Sequence, residues 1–132
     1  MKQHEINKLN NFIGGFYINK SACKKLIKVF EDNQDISVKG MSYGKNNKST
    51  VNKKMKASTD LCLTPSPIYG YYFNELQKCL KEYIKQYPSV DLLPRFRIME
   101  NCNIQKYKKI EGFFKWHFER GHGFTLKRVL VW

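Results

Sequence analysis

Two stretches of this chain carry apolar residues at helical spacing. In the first, from Lys20 to Asn33, apolar side chains stand at positions i, i+3, i+4 and i+7, namely Cys23, Leu26, Ile27 and Phe30. In the second, from about Ile68 to Gln86, a similar stripe precedes Pro88 and consists of Tyr72, Leu76, Leu80, Tyr83 and Ile84. The pattern predicts two amphipathic helices, and the lysines of the first form a solvated face.

Alternation of apolar and polar residues predicts strands in four other segments. The first, from Lys54 to Leu63, places Met55, Ala57, Thr59, Leu61 and Leu63 on one face. The second runs from Arg95 to Lys106, and the shorter segments Phe113 to Glu119 and Leu126 to Trp132 follow after polar or glycine-containing turns. Asp35 to Lys54 has few apolar residues and predicts a long loop.

Helices followed by antiparallel strands are typical of an α+β fold. The 132 residues, of which 42% are apolar and 14% aromatic, are enough for one core, so we expect a single domain spanning 1–132. The cysteines Cys23, Cys62, Cys79 and Cys102 form no Cys-x-x-Cys pair and predict free thiols. Because no signal-like or membrane-spanning apolar run is present, we expect a cytoplasmic protein that does not enter a membrane.

The formal net charge of +13 comes from 24 Lys and Arg against 11 Asp and Glu. Such a charge can bind nucleic acid through phosphate contacts. Most of the basic residues are Lys, however, spread over the whole chain, and Arg, which is better suited to bidentate contacts, occurs only four times. Nucleic-acid binding is therefore an alternative that the charge alone does not favour.

The segment 116–120, Trp-His-Phe-Glu-Arg, contains the most informative pair of side chains. In an extended segment, His117 and Glu119 project from the same face. An imidazole and a carboxylate are two of the three ligands in the two-His, one-carboxylate triad of non-haem Fe(II) oxygenases. Such a pair occurs by chance in many sequences, so its meaning depends on the residues around it.

Upstream of the pair stand Asn-Ile-Gln-Lys-Tyr at 103–107 and a turn ending in Glu-Gly at 111–112; downstream stands Arg-Val-Leu-Val-Trp at 128–132. In order, spacing and residue type this stretch resembles the 2-oxoglutarate/Fe(II)-dependent dioxygenases of the prolyl 4-hydroxylase type, with their Gln-x-Tyr, Trp-His-x-Glu and Arg-Val-Leu-Val motifs. Phe-Ile-Gly-Gly-Phe-Tyr at 12–17 and Lys-Ala-Ser-Thr-Asp-Leu at 56–61 resemble the N-terminal region of that family. The resemblance covers most of the chain.

This resemblance implies that His117 and Glu119 bind Fe(II) and that Tyr107 contacts the co-substrate 2-oxoglutarate, with L-ascorbate as an optional further cofactor. It implies hydroxylation of a peptidyl residue such as proline, or of a small molecule, coupled to decarboxylation of 2-oxoglutarate to succinate. It also implies N-terminal helices packed on part of a double-stranded β-helix, or jelly-roll, sheet.

The family's distal His, and the Arg or Lys that binds the far carboxylate of 2-oxoglutarate, have no counterpart before Trp132. We therefore expect a fragment of the dioxygenase domain that is inactive as this isolated chain. A sheet that lacks its neighbouring strands exposes an unpaired edge, and we expect self-association through it.

Two alternatives use the same residues. In a basic nucleic-acid-binding module, bases would stack on Phe113, Phe114, Trp116 and Phe118. In a zinc site, His122 would join His117 and Glu119.

The iron-site hypothesis makes a geometric prediction. His117 and Glu119 should point into one concave face from a strand, with Tyr107 directed toward the same space. Trp116 and Phe118 should then pack on the other side, because neighbouring residues of a strand face opposite ways.

Overall fold

A computed structural model describes residues 1–6, 12–43, 48–64, 66, 69–96, 98, 101–120 and 123–132. These residues form two α-helices and several small antiparallel sheets, which confirms the α+β class. Their contacts group into two compact units, each made from two segments: 1–34 with 64–102, and 35–63 with 103–132. The single domain expected for residues 1–132 stays a prediction.

The first unit contains both helices, α1 (Lys20–Asp32) and α2 (Gly70–Gln86). The Asn19 side chain accepts a hydrogen bond from the backbone N–H of Ser21 at 2.9 Å, which satisfies a free donor at the start of α1. Both helices are thus confirmed, although Ile68, the expected start of the second, lies outside the described residues. A 3-10 helix, Pro88–Leu92, follows α2.

Packing of the first unit centres on the two helices, which contact each other. Phe30, Tyr87 and Val90 are buried apolar residues of this unit. A short antiparallel pair, β1 (Gln3–His4) and β2 (Gly15–Phe16), belongs to the same unit.

The second unit is built from short strands. They are β3 (Val38–Lys39), β4 (Ser42–Tyr43), β5 (Ser49–Thr50), β6 (Lys56–Ala57), β7 (Thr59–Leu63), β8 (Cys102–Lys106), whose first residue belongs to the first unit, and β9 (Gly112–Phe113). Strand β7 is central to a three-stranded sheet, with β3 on one side and β8 on the other. Strands β4 and β5 form one antiparallel pair, and β6 and β9 form another.

Several strand predictions need correction. The alternating segment 54–63 is confirmed as β6 and β7, interrupted at Ser58, but the expected loop at 35–54 contains β3, β4 and β5. In the segment 95–106 the strand begins only at Cys102, and Arg97, Met99 and Glu100 lie outside the described residues.

The two C-terminal strand predictions are wrong. The strand expected at 113–119 ends at Phe113, and the one expected at 126–132 is replaced by a 3-10 helix, Gly123–Lys127, and non-strand residues. Strand β9 pairs with only two residues of β6, so in the described structure the rest of 113–119 has no neighbouring strand to complete a ladder. Alternation indicates a strand only where such a partner exists.

In the described ranges the strands form separate small sheets that do not close into a barrel, so the jelly-roll part of the fold expectation is not established. None of the described helices is both long enough and apolar enough to cross a bilayer.

Candidate functional site

The second unit brings His117 and Glu119 into direct contact. The Nε2 atom of His117 lies 3.2 Å from Oε1 of Glu119, and both side chains are a little under half exposed. The two side chains therefore contact each other, but the backbone at 114–120 is an irregular segment and not the predicted strand. Their role as metal ligands stays a prediction.

The other ring nitrogen of His117 is held by the backbone. Nδ1 lies 3.1 Å from the carbonyl oxygen of Lys115. Because a carbonyl oxygen can only accept, this contact requires a proton on Nδ1. In the neutral ring, Nε2 then carries the lone pair and faces the carboxylate of Glu119.

The contact between Nε2 and Oε1 suits either of two arrangements. An ionised carboxylate only accepts, so Nε2 either donates a proton to Oε1 in an ordinary hydrogen bond or serves together with Oε1 as a ligand of one metal ion. Two ligands at neighbouring corners of an octahedral first-row metal site, with bonds of about 2.1 Å, are about 3 Å apart. The observed 3.2 Å matches that separation, and the Nδ1 contact is the kind of outer hydrogen bond that metal-binding histidines make.

Arg128 holds the second oxygen of the Glu119 carboxylate. Its guanidinium donates to Oε2 of Glu119 at 2.6 Å and to the backbone oxygen of the same residue at 3.0 Å. One carboxylate oxygen is thus anchored and the other faces His117. No sequence pattern indicates a site role for Arg128, because a contact with a residue nine positions earlier follows no helix or strand period.

Phe113 lies flat against the His117 ring. The ring centroids are 3.9 Å apart and the planes differ by 12°. Phe113 belongs to β9, whose next residue, Phe114, donates its backbone N–H to the Met55 carbonyl at 2.8 Å. The stacked ring is therefore attached to a paired strand.

Polar side chains of β6, of β7 and of the residue between these strands form a buried cluster. Lys56 and Asp60 are 4% and 7% exposed, and Lys56 Nζ lies 2.6 Å from Asp60 Oδ2. Asp60 also accepts from Ser58 Oγ at 2.6 Å and from Asn103 Nδ2 at 3.2 Å. The Lys-x-Ser-x-Asp spacing is the sequence signal of this cluster, since it places all three side chains on one face of an extended segment, but the apolar residues that alternate with them had indicated the opposite face as the buried one.

Tyr107 lies beside this buried cluster. Its hydroxyl donates to Oε1 of Gln105 at 2.8 Å. Burial raises the pKa of the Tyr107 phenol, the negative charge of Asp60 raises it further, and a hydrogen bond with Ser58 acts in the opposite direction. The phenol is therefore neutral at physiological pH. The residues named around the phenol are Gln105, Ser58 and Asp60 and not His117 or Glu119, so its direction toward the iron site stays a prediction.

A third protein ligand is not among the described residues, where no group of three or more His, Cys, Asp or Glu side chains could hold a metal ion. His122, the third ligand of the zinc alternative, lies outside them. The expectation that Trp116 and Phe118 pack into a core is wrong: Trp116 is fully exposed and Phe118 is 78% exposed. The irregular backbone explains this, because strand alternation does not apply to it.

No protein-family model matches this chain, and neither the curated proteins nor the solved structures contain a match to it.

Proposed function

We propose that the chain is part of a 2-oxoglutarate- and Fe(II)-dependent oxygenase in which His117 and Glu119 are metal ligands. The observation that carries this proposal is the 3.2 Å separation of Nε2 and Oε1, which matches the distance between neighbouring ligands of an octahedral metal. The metal fits this pair, and a third ligand would complete the facial set.

The surrounding residues support the role of the pair. The Lys115 carbonyl fixes the ring tautomer that leaves Nε2 free, and Arg128 orients Glu119 through Oε2. When bound, Fe(II) would supply the centre at which O2 is the oxidant, one oxygen atom going to succinate and the other to the hydroxylated substrate, with 2-oxoglutarate as the reductant. In this proposal the phenol of Tyr107 contacts the co-substrate, and the sheets belong to a jelly-roll domain.

The substrate in this proposal is a peptidyl residue or a small molecule. The cytoplasm is the proposed compartment, because all four cysteines, Cys23, Cys62, Cys79 and Cys102, are free thiols.

Titration with Co(II), a spectroscopic substitute for Fe(II), tests the proposal. We expect weak binding, since only two protein ligands are described, and we expect no succinate formation from 2-oxoglutarate. His117→Ala and Glu119→Gln should abolish the Co(II) absorption, whereas His4→Ala, a matched control in the first unit, should retain it. Binding that survives both site variants would refute the proposal. Succinate formation lost in His117→Ala would show that an additional ligand completes the site.

Binding of single-stranded nucleic acid is a second candidate, favoured by the exposure of Trp116 and Phe118. These rings flank His117 in a segment that also carries Lys115 and Arg120, and exposed aromatic rings among cations can stack on bases. Affinity for single-stranded DNA that falls with salt, persists in His117→Ala and is lost in Trp116→Ala would favour this candidate.

A further inference from the structure

We propose that Phe113 positions the His117 imidazole for metal binding, and that the buried Lys56–Asp60 pair in turn holds Phe113 in place. This inference rests on the proposed function, in which His117 is a ligand. Phe113, Lys56 and Asp60 are positioning residues, since they act through His117 and do not themselves bind the metal.

Two contacts together fix the His117 ring. The parallel Phe113 ring, 3.9 Å away, prevents the imidazole from tilting out of its plane. The Lys115 carbonyl, 3.1 Å from Nδ1, fixes the rotation within that plane. With both contacts in place, the direction of the Nε2 lone pair is determined before any metal binds, and it points at Glu119.

Phe113 is itself held by strand pairing. In the antiparallel pair of β6 and β9, Phe113 lies opposite Lys56, and Gly112 lies opposite Ala57. The Lys56 ammonium is 6.0 Å from the centroid of the Phe113 ring, at the outer limit of a cation–π contact. The position of β6 therefore sets the position of the stacked ring.

Lys56 in turn has little freedom to move. Its ammonium is almost fully buried and pairs with Asp60, which two further donors, Ser58 and Asn103, also contact. A buried charge that leaves its partner is uncompensated, so this arrangement has one low-energy geometry. An apolar pair would fill the same space without this restriction. The charged pair is thus suited to fixing the register of β6, and with it the Phe113 ring.

Proton NMR of the whole chain tests this inference without any metal. A proton above an aromatic ring is shifted upfield, so the His117 ring protons should lie upfield and show nuclear Overhauser contacts to Phe113. Phe113→Leu, which keeps the apolar volume, should move them downfield, while the exposed-site control Ile110→Ala should leave them in place. The neutral double variant Lys56→Met/Asp60→Asn should move them in the same direction as Phe113→Leu.

Metal affinity provides the second readout. Loss of an outer contact to a metal ligand typically weakens binding by about 10-fold or more. Phe113→Leu should therefore raise the Co(II) dissociation constant by about that factor. Its far-ultraviolet circular dichroism spectrum should remain that of a folded chain. Ile110→Ala should not change it.

Failure of this inference and failure of the proposed function give different results. Absence of Phe113–His117 Overhauser contacts in the unmodified chain would overturn the positioning role, even if a variant does not fold. Unchanged His117 resonances in a folded Lys56→Met/Asp60→Asn chain would overturn the part assigned to the buried pair. If the resonances shift as expected but the unmodified chain binds no Co(II), the metal function fails while the ring arrangement stands.

Discussion

Asp60 is a charged side chain in a position that normally belongs to an apolar one. Removing it by Asp60→Ala would leave the Lys56 ammonium buried without a partner, which typically costs about 3–5 kcal/mol. The pair Lys28–Asp32 has the same i, i+4 spacing but is exposed to solvent, so Asp32→Ala should cost much less stability than Asp60→Ala. Urea denaturation of both variants measures the difference. Equal losses would show that Asp60 is not buried in solution.

Gly40 is required by the same cluster because its neighbours leave no room for a side chain. A Cβ atom at Gly40 would lie 2.0 Å from Ser58 Oγ and 3.1 Å from Asp60 Oδ1. Ser58 could move away only by giving up its hydrogen bond to Asp60. We expect Gly40→Ala to lower the free energy of unfolding by about 1–3 kcal/mol.

Gly70 is the matched control for this substitution. It lies at the start of α2, and a Cβ there would meet nothing within 4 Å. Gly70→Ala should therefore be neutral or stabilise by up to about 1 kcal/mol. Thermal melts of both variants, followed by circular dichroism, would contradict the argument if Gly40→Ala melted with or above the unmodified chain.

For single residues, the sequence was a better guide to which side chains belong to the site than to the contacts they make. The pairing of His117 with Glu119 could be predicted, since the two side chains are two residues apart and needed only local chain geometry. The contacts of Arg128 with Glu119 and of Phe113 with His117 could not, because Glu119 and His117 lie in an irregular segment where side-chain directions follow no period.

Among the elements, α2 carries a carboxylate that links it to α1. Glu75 is buried and accepts a hydrogen bond from the backbone N–H of Asn19, the residue that caps α1, and it pairs with Lys78. The hydrogen bond from Lys78 and then that from Asn19 lower the pKa of Glu75 below its ordinary value of 4.5.

This lowered pKa predicts a loss of stability in acid. The unfolded chain takes up a proton on Glu75 at a higher pH than the folded chain, so stability is full above pH 4.5 and falls as the pH is lowered below it. Glu75→Gln should flatten this acid decline, and Lys78→Met should flatten it in part. Urea midpoints between pH 3 and 6, a range set by that ordinary value, measure the effect. An unchanged acid slope in Glu75→Gln would disprove the linkage.

Helices and strands differed in how far the sequence determined them. The apolar stripe of α1 is a local pattern, and the side-chain cap at Asn19 is local too, so the helix was predicted to within one residue. A strand needs a partner from elsewhere in the chain. The alternation at 113–119 could not reveal that β6 offers a partner to only two residues.

For the molecule as a whole, exposed apolar side chains and a large positive charge act against each other. Val131 and Trp132 are more than half exposed, and the chain carries a net charge of +13. These residues do not form a strand, so the association we expect involves side-chain contacts and not a sheet edge. Since salt screens the repulsion between like-charged chains, self-association should increase with ionic strength.

Sedimentation velocity at low and high salt measures this association. Trp132→Lys should reduce it, whereas Leu92→Lys, at an exposed apolar site of the first unit, should have little effect. A monodisperse monomer at both salt concentrations would contradict the prediction. The salt response also distinguishes self-association from nucleic-acid binding. Self-association should increase with salt, whereas binding to nucleic acid weakens with salt.

The α+β class could be predicted from the order of helical and strand patterns along the chain. Which strands pair with each other could not. Strand β7 pairs with β3, about twenty residues before it, and with β8, about forty residues after it, and no periodic signal encodes such pairings.

The full exposure of Trp116 has a practical consequence for the site beside it. Its indole is covalently adjacent to His117 and surrounded by water, so its fluorescence should be emitted at long wavelength and be accessible to quenchers. A paramagnetic ion held by His117 and Glu119 would lie close enough to quench that emission. With Trp132→Phe removing the other indole, the chain contains its own optical reporter of whether this pair is occupied.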